Sequence, residues 1–258
     1  MIRKLFSPQW VLLAAIFVMA WTFNVVDEPL TDPRFQASAF LAGMLFCAIV
    51  LVFGQRNLKT ANEGVALIQQ GRHAEALALY EQLEKRWVRV ATVRNNRSHA
   101  LLGLWRIDEA HALQSAILER PLAGERTLHF LTRPEFALTC ALMGDAEPAR
   151  EIIRTSASTP VLLLASAVLS IRDGRFEEVD SLLGGREIVN LSGYHRALAD
   201  ALLDWSRLET GKRTSPTDHR NRLFGADGAG TLPTHWPELL ATIDRLQSQN
   251  RPPAAAGA

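Results

Sequence analysis

One short pattern recurs along this chain, and it limits the fold more than any other feature. Gly71-Arg72-His73-Ala74-Glu75-Ala76 is followed, thirty-four positions on, by Trp105-Arg106-Ile107-Asp108-Glu109-Ala110. Looser copies stand at Gly144-Asp145-Ala146-Glu147-Pro148-Ala149 and Gly174-Arg175-Phe176-Glu177-Glu178-Val179, at spacings of 39 and 30. Self-similarity with a period in this range is a mark of repeat architectures. A Gly closes one helix in the left-handed region that residues with a Cβ tolerate poorly. Asp or Glu then enters the first turn of the next helix, where the helix dipole favours negative charge. The small residue lets that helix approach its neighbour. Apolar residues follow at helical spacing: Leu77, Tyr80 and Leu83; Leu113, Ala116 and Ile117; Ile152 and Ile153; Leu182 and Leu183.

These positions resemble the tetratricopeptide repeat (TPR) family. Gly64 fits the small position of a first helix, Ala76 the alanine of a second helix, and Tyr80 its aromatic. Ser98, Leu101 and Ala110 fit the second copy, where Gln114 replaces the aromatic. Val88 stands where a closing Pro is usual. The likeness covers residues 58–210 and weakens after the second copy. It implies an all-α, TPR-like α-solenoid of helix pairs over 57–210, with a groove that binds a protein or peptide. The candidate groove residues are Asn62, Asn95, Arg97 and His99. A generic helical bundle whose hairpins repeat by chance is the alternative.

Before the repeats, two apolar runs form a second feature. Trp10 to Val26 carries no charge, and Phe35 to Phe53 holds only Gln36 and Ser38 as clearly polar members. An acidic, Pro-containing turn from Asp27 to Arg34 joins them. The first run lies at the lower length limit for a bilayer span, but two in tandem predict a transmembrane helical hairpin over 1–56. Trp10 and Trp21 suit the interfaces, and Arg3, Lys4, Arg56 and Lys59 flank the outer ends. Both ends then face the cytoplasm. The expectation is a bacterial inner-membrane protein with a cytoplasmic repeat domain. A signal peptide cleaved near Val18-Met19-Ala20 is the competing reading, and the second run would still anchor the domain. A paired membrane hairpin ahead of helical repeats is also similar, in architecture alone, to the HemY-type membrane proteins.

Charge excludes some partners. Three basic and three acidic residues cancel up to residue 54, leaving 25 of the 28 basic and 24 of the 27 acidic residues for the rest. That balance gives no nucleic-acid footprint. Lys85 to Arg97 is the most basic stretch. It reads as a solvated turn balanced by Glu81, Glu84, Asp108 and Glu109, with contact to anionic lipid as the alternative. Cys47 and Cys140 read as packing residues, not a disulfide.

Further along, Pro134 is expected to interrupt a helix or start one at Glu135. Val161 to Ile171 reads as a buried central helix. Asp200 and Asp204 share one face, read as solvated. Residues 211–234 read as a mobile linker, 235–250 as a last helix capped by Thr234, and 251–258 as a disordered tail.

Chemistry is not evident. The seven His, at 73, 99, 111, 129, 195, 219 and 235, show no metal-binding spacing, and no nucleophile elbow or phosphate loop occurs. No catalytic, cofactor or metal residue is expected, and no enzyme, nucleic-acid partner or small-molecule substrate. The expected function is a membrane-anchored adaptor that binds a protein in the repeat groove. In the alternative the hairpin makes the key contacts within a transport or secretion complex; Ala37, Ala39, Ala42 and Gly43 suit helix contact there.

Overall fold

The structure, a computed structural model, describes residues 43–44, 55–85, 90–119, 126–224 and 234–250. The chain divides into two units, Met1–Ala61 and Asn62–Ala258. In the first, the described residues 43–44 and 55–61 are helical. The two apolar runs otherwise lie outside the described residues. Among the described residues, no helix is long and apolar enough to cross a membrane.

The second unit is all-α, with no strand among its described residues. Residues 62–69 form α1. There follow α2 (His73–Lys85), α3 (Val90–Gly103), α4 (Ile107–Leu118), α5 (Arg126–Met143), α6 (Ala146–Thr155), α7 (Pro160–Arg172) and α8 (Phe176–Leu183). After a 3-10 turn at Arg186–Asn190 come α9 (Gly193–Glu209), α10 (His219–Phe224) and α11 (Pro237–Asn250). From α2 to α10, each helix packs on the next in sequence, and α5 also packs on α7.

Among the described residues, five helices end in the same hydrogen-bonded turn. At the first, the Gly71 amide donates to the Ile68 carbonyl (3.0 Å) and the Arg72 amide to the Leu67 carbonyl (2.9 Å). The pair recurs at Trp105 and Arg106 (3.0 and 3.0 Å), Gly144 and Asp145 (3.2 and 2.9 Å), Gly174 and Arg175 (3.0 and 2.8 Å), and Gly211 and Lys212 (3.3 and 2.7 Å). This is the Schellman motif, which needs its first residue left-handed. The φ values there are 77°, 57°, 95°, 75° and 69°. Trp105 is the non-glycine member and carries the strain. Its buried ring explains the choice. It meets Tyr194 (5.8 Å between centroids) and Phe224 (5.3 Å), and its Nε1 donates to the Leu223 carbonyl (3.1 Å).

The core follows the periodic residues. Ala76, Leu77, Tyr80 and Leu83 are buried on α2, and Ile107, Ala110, Gln114 and Ile117 on α4. A Cβ on Gly64 would fall 2.5 Å from the Tyr80 ring, so α1 and α2 meet through a glycine against an aromatic. Thirty-four residues on, the corresponding pair is polar: Gln114 Nε2 donates to Ser98 Oγ (3.3 Å). α7 is buried along most of its length and starts at Pro160, with Thr159 Oγ1 accepting from the Leu162 amide (3.3 Å).

Four expectations need correction. Pro134 neither breaks nor starts a helix; α5 runs through it. The stretch 211–234 is not wholly linker, because α10 buries His219 and Leu223 within it. Asp204 is not on a solvated face: it is buried and holds that stretch in place. It accepts from the Ser215 amide (3.1 Å), the Ser215 hydroxyl and His219 Nε2 (2.9 Å). Burial raises the Asp204 pKa, but the hydrogen bonds from His219 and Ser215 prevail and hold it below the usual carboxylate range. Finally, α11 starts at Pro237, so Thr234 does not cap it; Leu239, Ile243 and Leu246 are buried on it.

Candidate functional site

Three titratable side chains from distant parts of the chain converge inside the second unit. His99 lies on α3, Glu135 on α5 and His195 in the first turn of α9. α9 reaches this place because Gly193, at φ 52°, has no Cβ to strike the Ile68 carbonyl, which would stand 3.2 Å away. The next residue, Tyr194, sets its ring edge-on to Trp105, and that contact fixes the turn bearing His195.

His195 Nε2 lies 2.9 Å from Glu135 Oε2, and His99 Nδ1 lies 3.8 Å from Glu135 Oε1. One ligating atom from each of the three falls within 4.8 Å of the others. The Glu135 side chain is 7% exposed, His99 24% and His195 18%, so solvent reaches the imidazoles more than the carboxylate. Asn95, one turn before His99, places Nδ2 3.3 Å from His99 Nε2, and its Oδ1 is 2.8 Å from Thr132 Oγ1. Two buried polar atoms nearby have no hydrogen-bond partner, Tyr194 Oη and His73 Nδ1.

The electrostatics centre on the carboxylate. Burial works to raise the Glu135 pKa, but the charges of His195 and then His99, with the His195 hydrogen bond, outweigh it and hold it at about 2. For His195 burial works downward, and the Glu135 charge and hydrogen bond reverse it, so its pKa is raised. His99 is lowered, chiefly by burial, against the pull of Glu135. Burial, and then the Glu135 charge, raise Tyr194. An ionised carboxylate between two imidazoles can store a proton, hold a cation or bind a donor group.

Of the residues singled out from sequence, Asn95 and His99 belong to this cluster, with Asn95 buried. Arg97 is turned to α2, where it pairs with Glu84 (2.9 Å) and Glu81 (3.6 Å). Arg94 also pairs with Glu84 (2.8 Å), so the two described arginines of the basic stretch are balanced by α2. Asn62 is exposed on α1. Glu135 and His195 have no local spacing to His99 that would announce them. The one sequence signal is Glu135 itself, which shares a helical face with Leu138 and Leu142 and so puts a charge on an apolar stripe.

Comparisons with protein families, with curated proteins and with solved structures each return no match to this chain.

Proposed function

We propose that this chain is a membrane-anchored, TPR-like adaptor. Its transmembrane hairpin holds an α-solenoid at the cytoplasmic face of a bacterial inner membrane, where the repeats bind a protein partner. The observation that carries the reading is the recurrence of one helix-ending turn at residues 71, 105, 144, 174 and 211, together with the glycine-on-aromatic contact of Gly64 and Tyr80. Helix pairs joined by such turns present extended surfaces suited to peptides and helices. Asn62, Arg97 and His99 keep exposed atoms that a partner can reach. Asn95 is buried, and its part is to hold His99.

A photocrosslinking residue placed in turn at 62, 97 and 99 of the full-length chain tests this in cells, with exposed position 189 as the control. The expected result is one protein captured from positions 62, 97 and 99 but not from 189, and still captured when an unrelated anchor replaces residues 1–56. Loss of capture on exchanging the hairpin, with membrane localisation intact, would assign recognition to the hairpin and overturn the adaptor reading.

A further inference from the structure

The hydrogen bonds around His99 contain a conflict that has one simple resolution. The Thr132 hydroxyl has a single proton but two acceptors within reach, Asn95 Oδ1 and the Leu128 carbonyl, both at 2.8 Å. A half-turn of the Asn95 amide exchanges its oxygen and nitrogen at almost no steric cost. Thr132 then donates to Leu128 and accepts from Asn95 Nδ2. Asn95 Oδ1 now faces His99 Nε2 at 3.3 Å and accepts its proton. Every group in this relay is satisfied, and His99 is left with the lone pair on Nδ1.

That lone pair faces the Glu135 carboxylate at 3.8 Å, beyond hydrogen-bond range and repulsive without a cation between them. On the far carboxylate oxygen, His195 Nε2 stands at 2.9 Å. We propose that His99 Nδ1, the Glu135 carboxylate and His195 Nε2 form a three-ligand site for a divalent transition-metal ion of the Zn2+ class. Two imidazole nitrogens and one carboxylate suit such an ion. With bonds of about 2.1 Å, a tetrahedral site has ligand–ligand edges of about 3.4 Å. One ligating atom from each residue lies within 4.8 Å of the others, so closing on an ion to edges of about 3.4 Å needs shifts of about 1.4 Å at most. The Thr132–Asn95 relay is the outer support that metal-bound imidazoles require to fix their tautomer. The Tyr194 hydroxyl, on the residue before His195, is buried without a hydrogen-bond partner. Binding releases the proton held between His195 and Glu135, so affinity falls as pH falls.

The test uses the untagged full-length protein, stripped with a chelator and titrated with Zn2+ against a chromophoric chelator. One Zn2+ per chain is expected. Asn95→Ala should weaken binding roughly 10- to 100-fold, Glu135→Gln more than that, and His111→Ala not at all. Because loss of a buried group can unfold the chain, His195→Cys serves as a second variant. It keeps a ligand, and in the Co2+-loaded protein it should add a thiolate-to-cobalt charge-transfer band that the wild type lacks. Absence of stoichiometric binding by the wild type, unchanged affinity in Glu135→Gln, or no new band in His195→Cys would each overturn the site.

Discussion

Gly64→Ala should change sign according to what stands at residue 80. A Cβ at position 64 would lie 2.5 Å from Tyr80 Cζ, 2.6 Å from Oη and 2.9 Å from Cε2. Ordinary contacts between carbon atoms are near 3.5–4.0 Å, so the ring would have to retreat by about 1 Å. Tyr80 is fully buried and its hydroxyl is hydrogen-bonded to Asn96, which leaves it nowhere to go. Overpacking of this kind costs about 1–3 kcal/mol. The helix itself gains about 1 kcal/mol from Ala over Gly. With the clash near the upper end of its range, Gly64→Ala should lose about 1–2 kcal/mol in the wild-type chain. In a Tyr80→Leu background the clashing atoms are gone, and the same change should gain up to about 1 kcal/mol. The coupling, about 2–3 kcal/mol, is far above the usual additivity error of about 0.3–0.5 kcal/mol. Urea unfolding of the four full-length proteins, followed by circular dichroism, measures it. Equal effects of Gly64→Ala in both backgrounds would refute the packing of α1 on α2 through this contact.

Three other outcomes are expected. Trp105→Gly should be less damaging than Trp105→Ala by about 1 kcal/mol, the reverse of the usual order, because φ at this position is 57°; the same unfolding assay reads it. Asp204→Ala leaves His219 buried without its carboxylate and should cost about 3 kcal/mol or more; trypsin should then cut sooner after Lys212 and Arg213, and unchanged cleavage would show that Asp204 does not tether 212–219. The third outcome concerns Glu135→Gln in chelator-treated protein. The Glu135 carboxyl is held at about 2 against an ordinary 4.5, so its stabilising effect is present above pH 4.5 and fades as pH falls toward 2. His195 is raised above 6.5, so its share is full below 6.5 and fades as pH rises through the folded value. His73 and His99, both lowered mainly by burial, also face this region and titrate in the opposite sense. Glu135→Gln should therefore cost most between about pH 4.5 and 6.5; a penalty flat from pH 4 to 9 would contradict the ion pair.

Local physics made the helix junctions readable from sequence. Gly71, Gly144 and Gly174 stand where a left-handed residue is needed, and the acidic residue and small residue after each fix the next helix start. That information lies within about six neighbouring residues. Pro134 misled because a single missing amide bond costs less than the packing that α5 gains by continuing, with Ala137, Leu138, Ala141 and Leu142 buried beyond it. The segment 212–224 misled in the opposite direction. Its polar composition suggested mobility, but Asp204 on α9 is the acceptor for Ser215 and His219, and nothing near residue 215 in the chain reveals that. The His99–Glu135–His195 cluster was hidden for the same reason. Its members are separated by 36 and 60 positions, and no spacing rule extends over such loops.

The departures from local rules are concentrated around the first turn of α9. Trp105 holds a conformation that suits glycine, and does so while its ring lies against Tyr194. Pro134 sits inside a helix immediately before Glu135. Tyr194 buries a hydroxyl with no partner, and Gly193 gives up helix propensity so that the backbone can approach Ile68. Each of these is unfavourable alone, and a chain selected only for stability would have little reason to keep four of them within a few residues of three ionisable side chains. Sequences that specify a fold agree with local propensity almost everywhere, and their exceptions gather where something other than stability is required. The other four turns, at Gly71, Gly144, Gly174 and Gly211, keep glycine in the left-handed position. Those turns close their helices without strain, whereas the strained turn at Trp105 holds its ring against Tyr194, one residue before His195.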